Sequence, residues 1–339
     1  MRAIVPSRPV AGRRAMLAVA GLGALAAAAA TLSPLPAAAQ GAFPDKPIRI
    51  VVPYAAGGGV DIVTRLVSQK MGDALKQTII VDNRPGAATN IGMDMVARAQ
   101  PDGYTLLTAS NTLAANGALF SKLTFDPAHD FTPLGAIGYA PLAVVVPTES
   151  PFKTLKQLTD YGRSHPEKLT YASAGNGSSG HLASELLKAE SGMRALHVPY
   201  KGGSPAVTDL LGQRISFMSI NPLEVVSHVQ AGKLRPLAVL DDEPAAMLPG
   251  VPTVVSQGLP GAMATVWWGL IGPKDIPPEI TAKLNTALQS ALKDPDVKKR
   301  FGEMGAVVTP GTGQQFGAFV AGETTKWTKV IKDAGIKAD

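Results

Sequence analysis

Two short stretches combine residue types and spacings that could do chemistry. In the first, Tyr54, Ala56, Gly57, Gly58, Gly59 and Asp61 lie between an apolar, β-branched run, Ile48 to Pro53, and a segment in which Val63, Leu66, Val67, Met71, Ala74 and Leu75 recur at helical spacing. A strand that feeds a glycine turn and then a helix leaves unpaired backbone N–H groups at the positive end of the helix dipole. Such a terminus binds anions. The same glycines also suit a plain tight turn, and pattern alone leaves the two readings open.

The second stretch reads Ser173-Ala174-Gly175-Asn176-Gly177-Ser178-Ser179-Gly180-His181, between a strand at Leu169 to Ala172 and a helix at Leu182 to Ala189. It offers the same N–H-rich terminus. Two such loops facing each other would clamp one small anion.

Sharper motifs fail on inspection. A P-loop needs Lys and then Ser or Thr after its glycines, and a dinucleotide fingerprint needs a third glycine where Ile62 stands. A serine nucleophile elbow needs a glycine two residues to either side of the serine; Ser178 has Asn176 on one side and Ser179 has His181 on the other. No acid stands nearby to complete a triad with His181. The five histidines show no metal-ligand spacing and cysteine is absent, so neither a metal nor a cofactor is expected. Asp61 sits where a carboxylate caps the helix dipole, and it would be the natural partner of an ammonium on the ligand. Tyr54 either stacks over a ligand or fills the core beneath the loop. His181 either bonds its own loop or touches the ligand. Lys201 is a ligand candidate only by its position at the carboxyl end of a strand, and is otherwise a solvated charge.

The elements that must position these loops alternate between strand and helix signals. In the first part of the chain these are Thr78 to Val81, Ile91 to Ala99 and Thr105 to Ala109. After a break rich in Asp, Pro and Phe, the run Leu142 to Val146 reads as a strand crossing to a second lobe. That lobe repeats the alternation up to Leu240, and Trp267 to Ile271 reads as the crossing back. Helices at Pro277 to Leu292 and Gln314 to Asp333 are expected to pack on the first lobe. This is an α/β chain with mostly parallel sheets flanked by helices and a cleft between lobes. The expected division is residues 40–142 with 266–339 for lobe I and 143–265 for lobe II.

Residues 1–39 hold four arginines and no acid, then an Ala-rich apolar run, then small residues before Gln40, as a cleaved secretory signal does. Without that segment, 28 basic residues face 26 acidic ones, so nothing argues for nucleic acid. No later apolar run is long enough to span a bilayer. The expected product is an exported, extracytoplasmic monomer of two lobes.

Taken together, KPIRIVVPYAAGGGVDIVTR, VDNRPGAATNIGMD, PDGYTLL, YASAGNGSSGHLASELL, HVPYKGGSPAVTDLL, AGKLRPLAVL, LPGVPT and WWGLIGP resemble, in order, the Bug-type periplasmic receptors of tripartite tricarboxylate transporters. The resemblance runs from about Phe43 to Ile336. It implies a two-lobed receptor, not an enzyme, that closes over a small organic carboxylate and docks on integral-membrane transporter subunits. A sensor that passes its closed state to a signalling partner, or an exported hydrolase using Ser178 or His181, are the rival expectations. Carried over, the clasp comprises Tyr54 to Asp61 and, in the second loop, Ser173, Gly175, Asn176, Gly177, Ser178, Ser179 and His181. Ser110, Asn111, Tyr200, Lys201 and Gly202 are further positions that the resemblance implies. The chain departs from the family pattern at Ala55-Ala56, Gly59-Val60, Ala88-Thr89 and Ile220, which bears on the ligand rather than the fold.

Overall fold

β-Branched residues in runs of four to six cannot satisfy a helix face and pair instead as strands, while the amphipathic segments between them pack over the sheets. The computed structural model describes residues 43–333 and 335–337, together with Met1 and Ala3; the expected export signal otherwise lies outside the described residues. In the first lobe β1 (Ile48–Val52) pairs in parallel with β2 (Ile79–Asn83) and β3 (Thr105–Ala109). The helices α1 (Gly59–Leu75) and α2 (Asn90–Ala97) lie on these connections. β4 (Phe131–Pro141) and β10 (Thr265–Pro273) run antiparallel beside β3, and β11 (Val307–Val308) forms the edge, in the order β11-β4-β10-β3-β1-β2.

The second lobe is a five-stranded sheet of β5 (Ala143–Pro147), β6 (Thr170–Ser173), β7 (Leu196–Pro199), β8 (Phe217–Ile220) and β9 (Leu234–Val239), in the order β7-β6-β8-β5-β9. Its helices are α4 (Leu155–Ser164), α5 (Ser179–Ser191), α6 (Gly203–Leu211) and α7 (Pro222–Gln230). Both sheets are mixed rather than mostly parallel. The parallel strands come from strand-helix-strand units, and the antiparallel pairs are those of β5 and β10, which arrive from the other lobe, and that of the edge strand β11 with β4.

The backbone passes from β4 to β5 through Leu142 and returns between Leu240 and Ala264. These three residues bond one another: Leu142 N–H to Ala264 C=O at 3.1 Å, Ala264 N–H to Leu240 C=O at 2.9 Å, and Leu240 N–H to Leu142 C=O at 2.7 Å. The return does not occur at Trp267 to Ile271, where the sequence suggests it. That run is the middle of β10, and both tryptophans are fully buried: Trp267 meets Phe316 edge-on at 5.8 Å and Trp268 meets Phe301 at 6.4 Å. Burying such rings contributes about 2–3 kcal/mol each, which a hinge segment would forfeit.

The rings of Phe301 and Phe316 belong to α9 (Pro295–Glu303) and α10 (Gly313–Asp333), which with α8 (Pro278–Lys293) cover the first lobe. A further helix, α3 (Asn111–Leu119), has no amphipathic signature. It is buried on nearly every side, so the polar face that would mark its period is missing. Its Leu113, Ala114, Ala115 and Leu119 share one core with Trp267, Phe316 and Trp327, and Leu182 of the second lobe enters that same core. Among the described residues no helix is long and apolar enough to cross a membrane.

Candidate ligand-binding site

Helices of an α/β sheet begin at the carboxyl ends of its strands, so each lobe points several N-termini at the space between the sheets. The N-terminal residues of five helices line one cavity there. They are Gly58 and Gly59 of α1, Ser110 of α3, Ser178 and Ser179 of α5, Gly203 of α6 and Asn221 of α7. The N-caps of α1, α3 and α6 (Gly58, Ser110 and Gly202) place no side-chain oxygen on their helix N–H groups, although at α1 the Gly59 N–H is taken by Glu224 from the other lobe. By contrast Ser178 Oγ accepts the His181 N–H at 3.4 Å and Asn221 Oδ1 accepts the Leu223 N–H at 3.0 Å. Tyr54, Val60, Ala174, Val266, Trp268 and Glu224 complete the wall.

The cavity measures about 40 Å³ because the lobes are in contact around it. Ala55 N–H donates to Lys201 C=O at 3.0 Å, and Ser204 Oγ–H donates to Ala56 C=O at 3.3 Å. Gly202, with φ +149°, lies so close to Ala55 that a Cβ on it would fall 2.9 Å from the Ala55 Cβ. On the other side Gly177, with φ +72°, abuts Asn116 and Leu119 of α3. The cleft is closed by its own loops.

The sequence-predicted residues divide into two groups. Tyr54, Gly58, Gly59, Ser110, Ser178 and Ser179 line the cavity. Tyr54 is buried, its hydroxyl 3.1 Å from Thr112 Oγ1, and burial pushes its pKa up to about 12, so it is a neutral hydrogen-bonding group. The remaining residues build the walls from behind. Asp61 accepts the Gly57 N–H at 2.9 Å, pairs with Arg65 at 2.9 Å and accepts from Asn83 at 3.0 Å. Burial alone would raise its pKa, but the bonds from Arg65, Gly57 and Asn83 outweigh it and hold the carboxyl low. Asp61 is an ionised brace for its own loop, with no acceptor capacity turned to the cavity. Asn111 bonds the β10 backbone at Thr265 and Trp267. Tyr200 donates to Asp209 at 2.6 Å, Lys201 is exposed, and Gly202 packs on Ala55. Ala56 and Gly57 are exposed and face Ser204. Gly175 and Asn176 belong to the second loop without lining the cavity.

Beneath that loop lies a polar stack. Ser173 Oγ meets His197 Nε2 at 2.7 Å, His181 Nδ1 accepts the Gly177 N–H at 3.0 Å, and the two imidazoles stack at 4.1 Å beside Tyr171. Burial holds both histidines neutral, His181 down to about 4 and His197 down to about 3. The bonds to Ser173 and Gly177 fix the loop's shape. Among the described residues the side chains of Ser178 and His181 are not paired with each other: His181 Nδ1 takes the Gly177 N–H, and Ser178 Oγ takes the His181 backbone N–H. Among the described residues no group of three His, Asp or Glu could hold a metal.

Sequence reasoning missed Glu224, Asn221, Gly203 and Trp268. Asn221-Pro222-Leu223-Glu224 reads locally as a helix start with a capping acid, and only the fold carries it to the α1 terminus. The stem of Glu224 is partly exposed, yet its carboxylate tip is buried; burial pushes its pKa up to about 7, with the Gly59 N–H pulling the other way. A larger cavity, about 470 Å³, lies elsewhere among Tyr139, Trp267, Phe316 and Phe319. It is apolar, and the helix terminus that opens on it is closed by Thr312 and Gln315, which cap each other at 2.8 and 3.2 Å. The groups suited to an anion surround the smaller one.

The profile of the family described as tripartite tricarboxylate transporter family receptor matches residues 63–336. Protein BugT of Bordetella pertussis is 33% identical over 297 residues, covering 87% of this chain and 91% of BugT. The solved structure of the periplasmic binding protein BugD superposes with a TM-score of 0.83 at 32% identity, covering 87% of this chain and 99% of BugD. MatC from Rhodopseudomonas palustris with bound malate gives a TM-score of 0.82 at 33% identity, covering 85% of this chain and all of the MatC chain. With a two-lobed fold and a cleft ringed by helix N-termini, the chain belongs to the tripartite tricarboxylate transporter receptor family and is a Bug-type member of it.

Proposed function

We propose that this protein is a periplasmic receptor that captures a small organic carboxylate between its lobes and hands it, unchanged, to the membrane subunits of a tripartite transporter. The observation that carries this reading is the convergence of five helix N-termini on one cavity whose wall, among the described residues, holds no lysine or arginine. Their partial positive charges sum where a carboxylate would sit, and uncapped N–H groups supply directed donors. MatC, a relative of similar fold, holds malate.

In this reading the amides of Gly58, Ser179 and Gly203 and the hydroxyls of Ser110 and Ser178 take the ligand. Lobe I, residues 40–142 with 266–339, and lobe II, residues 143–265, close about Leu142, Leu240 and Ala264. The ligand touches both lobes only in the closed form, which is the differential affinity that closure requires. The exported monomer loses residues 1–39 on secretion.

The test is a thermal-shift screen of residues 40–339 against aliphatic and aromatic mono-, di- and tricarboxylates and acidic amino acids. A ligand at a hundred times its Kd stabilises the folded state by about 2.7 kcal/mol, a rise of a few degrees in Tm. A rise with one class of acid supports the receptor. A blank screen with ligand-free protein overturns it.

A further inference from the structure

Among the described residues, Glu224 is the one charged side chain that lines the cavity. It occupies the third position of α7, after the N-cap Asn221. In a capping box a glutamate there bends back to its own N-cap N–H. This one extends across the cleft instead. Its Oε1 lies 3.0 Å from where a Cβ on Gly59 would stand, and its Oε2 lies 1.7 Å from where one on Gly203 would stand. Those two glycines open α1 and α6, one in each lobe, so the carboxylate is wedged between two helix termini that lack a side-chain N-cap, and it accepts the Gly59 N–H. Any side chain at position 203 would drive it out.

Two polar atoms at this point have no partner. Glu224 Oε2 is buried and accepts no hydrogen bond; Asn221 Nδ2 is buried, donates none, and lies 3.5 Å from the same Cβ position at Gly59. Orphaned buried groups are destabilising and uncommon in folded proteins. An acceptor 3.6 Å from the Cβ position of Gly58 and a donor 3.5 Å from that of Gly59, both without a partner, are a complementary pair for one bound molecule. That molecule must offer a donor to Glu224 and an acceptor to Asn221 and the loop amides.

We infer that Glu224 determines specificity: among small carboxylates the site takes those that also carry a protonated nitrogen, whose N–H meets Glu224 Oε2 while their carboxylate meets the loop amides and Asn221 Nδ2. The inference rests on the receptor reading above. A plain carboxylate in this cavity would lie beside a second buried carboxylate, where like charges repel with little screening. A zwitterion brings its own counter-charge. Asp61, the acid that the sequence singles out for an ammonium, is occupied by Gly57, Arg65 and Asn83, and the role falls to an acid from the opposite lobe.

The experiment is titration calorimetry at pH 7.5 on residues 40–339 with two matched pairs, propionate against alanine and succinate against aspartate, repeated with Glu224→Gln. In the wild type the aminated member of a pair is expected to bind at least tenfold more tightly than its plain partner. Glu224→Gln is expected to shrink that ratio below threefold and to tighten the plain acid. A plain acid that binds the wild type as tightly as its aminated partner overturns the inference and leaves the receptor intact. Failure of all four probes also overturns it, whereas the receptor reading falls only if the wider carboxylate screen is blank too. The wild-type comparison decides the question by itself if Glu224→Gln does not fold.

Discussion

Replacing Glu224 by glutamine keeps the size of the side chain and removes a charge that burial makes expensive. The carboxyl titrates at 4.5 when solvated and at about 7 in the folded protein. A folded pKa raised above the unfolded one means that the native state holds the proton more tightly. Its stabilising contribution is therefore complete below pH 4.5 and is lost as pH rises through 7. At about 1.4 kcal/mol per pH unit, that interval amounts to about 3 kcal/mol. Tyr54, the other titratable group in the cavity wall, stays neutral because its pKa is about 12. The assay is urea unfolding of ligand-free wild type and Glu224→Gln between pH 4.5 and 8.5. Differences in packing or hydrogen bonding of the glutamine do not vary with pH, and the buried histidines act equally in both proteins. The change in the gap between the two proteins is thus the test: it should shift by about 3 kcal/mol in favour of the variant as pH rises. A gap constant to within about 0.5 kcal/mol would mean instead that water reaches the carboxylate and that the unliganded cleft is open.

The glutamine variant also isolates His181 and His197, whose folded pKa values of about 4 and about 3 lie below the ordinary 6.5. Their contribution is present above pH 6.5 and is lost as pH falls toward 4, so Glu224→Gln should destabilise steadily over that interval, and a flat unfolding profile would count against a buried neutral pair. Gly58→Asp has room for its Cβ, 3.6 Å from the nearest atom, but puts a second carboxylate beside Glu224. It should abolish ligand binding while the protein still melts cooperatively, and undiminished affinity in calorimetry would show that the wrong loop has been chosen. Gly177→Ala forces a side chain into φ +72° and to within 2.7 Å of Leu119 and 2.8 Å of Asn116. It should cost about 1–2 kcal/mol in the closed form and enlarge the solution radius of gyration, whereas an unchanged scattering profile would argue against closure at this contact. Ala87, Ala88 and Thr89 all take positive φ, at 45°, 50° and 75°. Ala88→Gly relieves one of these and should raise unfolding free energy by about 0.5–1 kcal/mol after the added freedom of the unfolded chain is counted; a loss of stability would mean that the turn is unstrained.

Ala88-Thr89 shows how a local departure can be seen in the sequence without its meaning. The resemblance marks the position as one where glycines are usual, and the structure supplies the reason in the left-handed backbone held there by Asn116, which donates to Ala88 C=O at 2.9 Å. The reverse holds at α3, where burial on nearly every side erased the period that reveals a helix. Trp267 to Ile271 misled for a related reason. An apolar run states that it is buried, but not which of two sheets buries it.

What the sequence determined by itself was everything that depends on neighbours along the chain. The strand, glycine turn and helix at Ile48 to Leu75 make an N–H-rich terminus from local geometry, as do Ser173 to Leu182, and Asp61 reaches Arg65 because four residues is one helical turn. The tertiary structure alone decided which termini share a cavity, and that Asp61 is spent on its own loop while Glu224 faces the cleft. Asn221-Pro222-Leu223-Glu224 is an ordinary helix start by every local rule. Only the closing of one lobe on the other carries its carboxylate to Gly59, since the direction of a side chain across a cleft is set by the packing of two sheets and not by spacing along either.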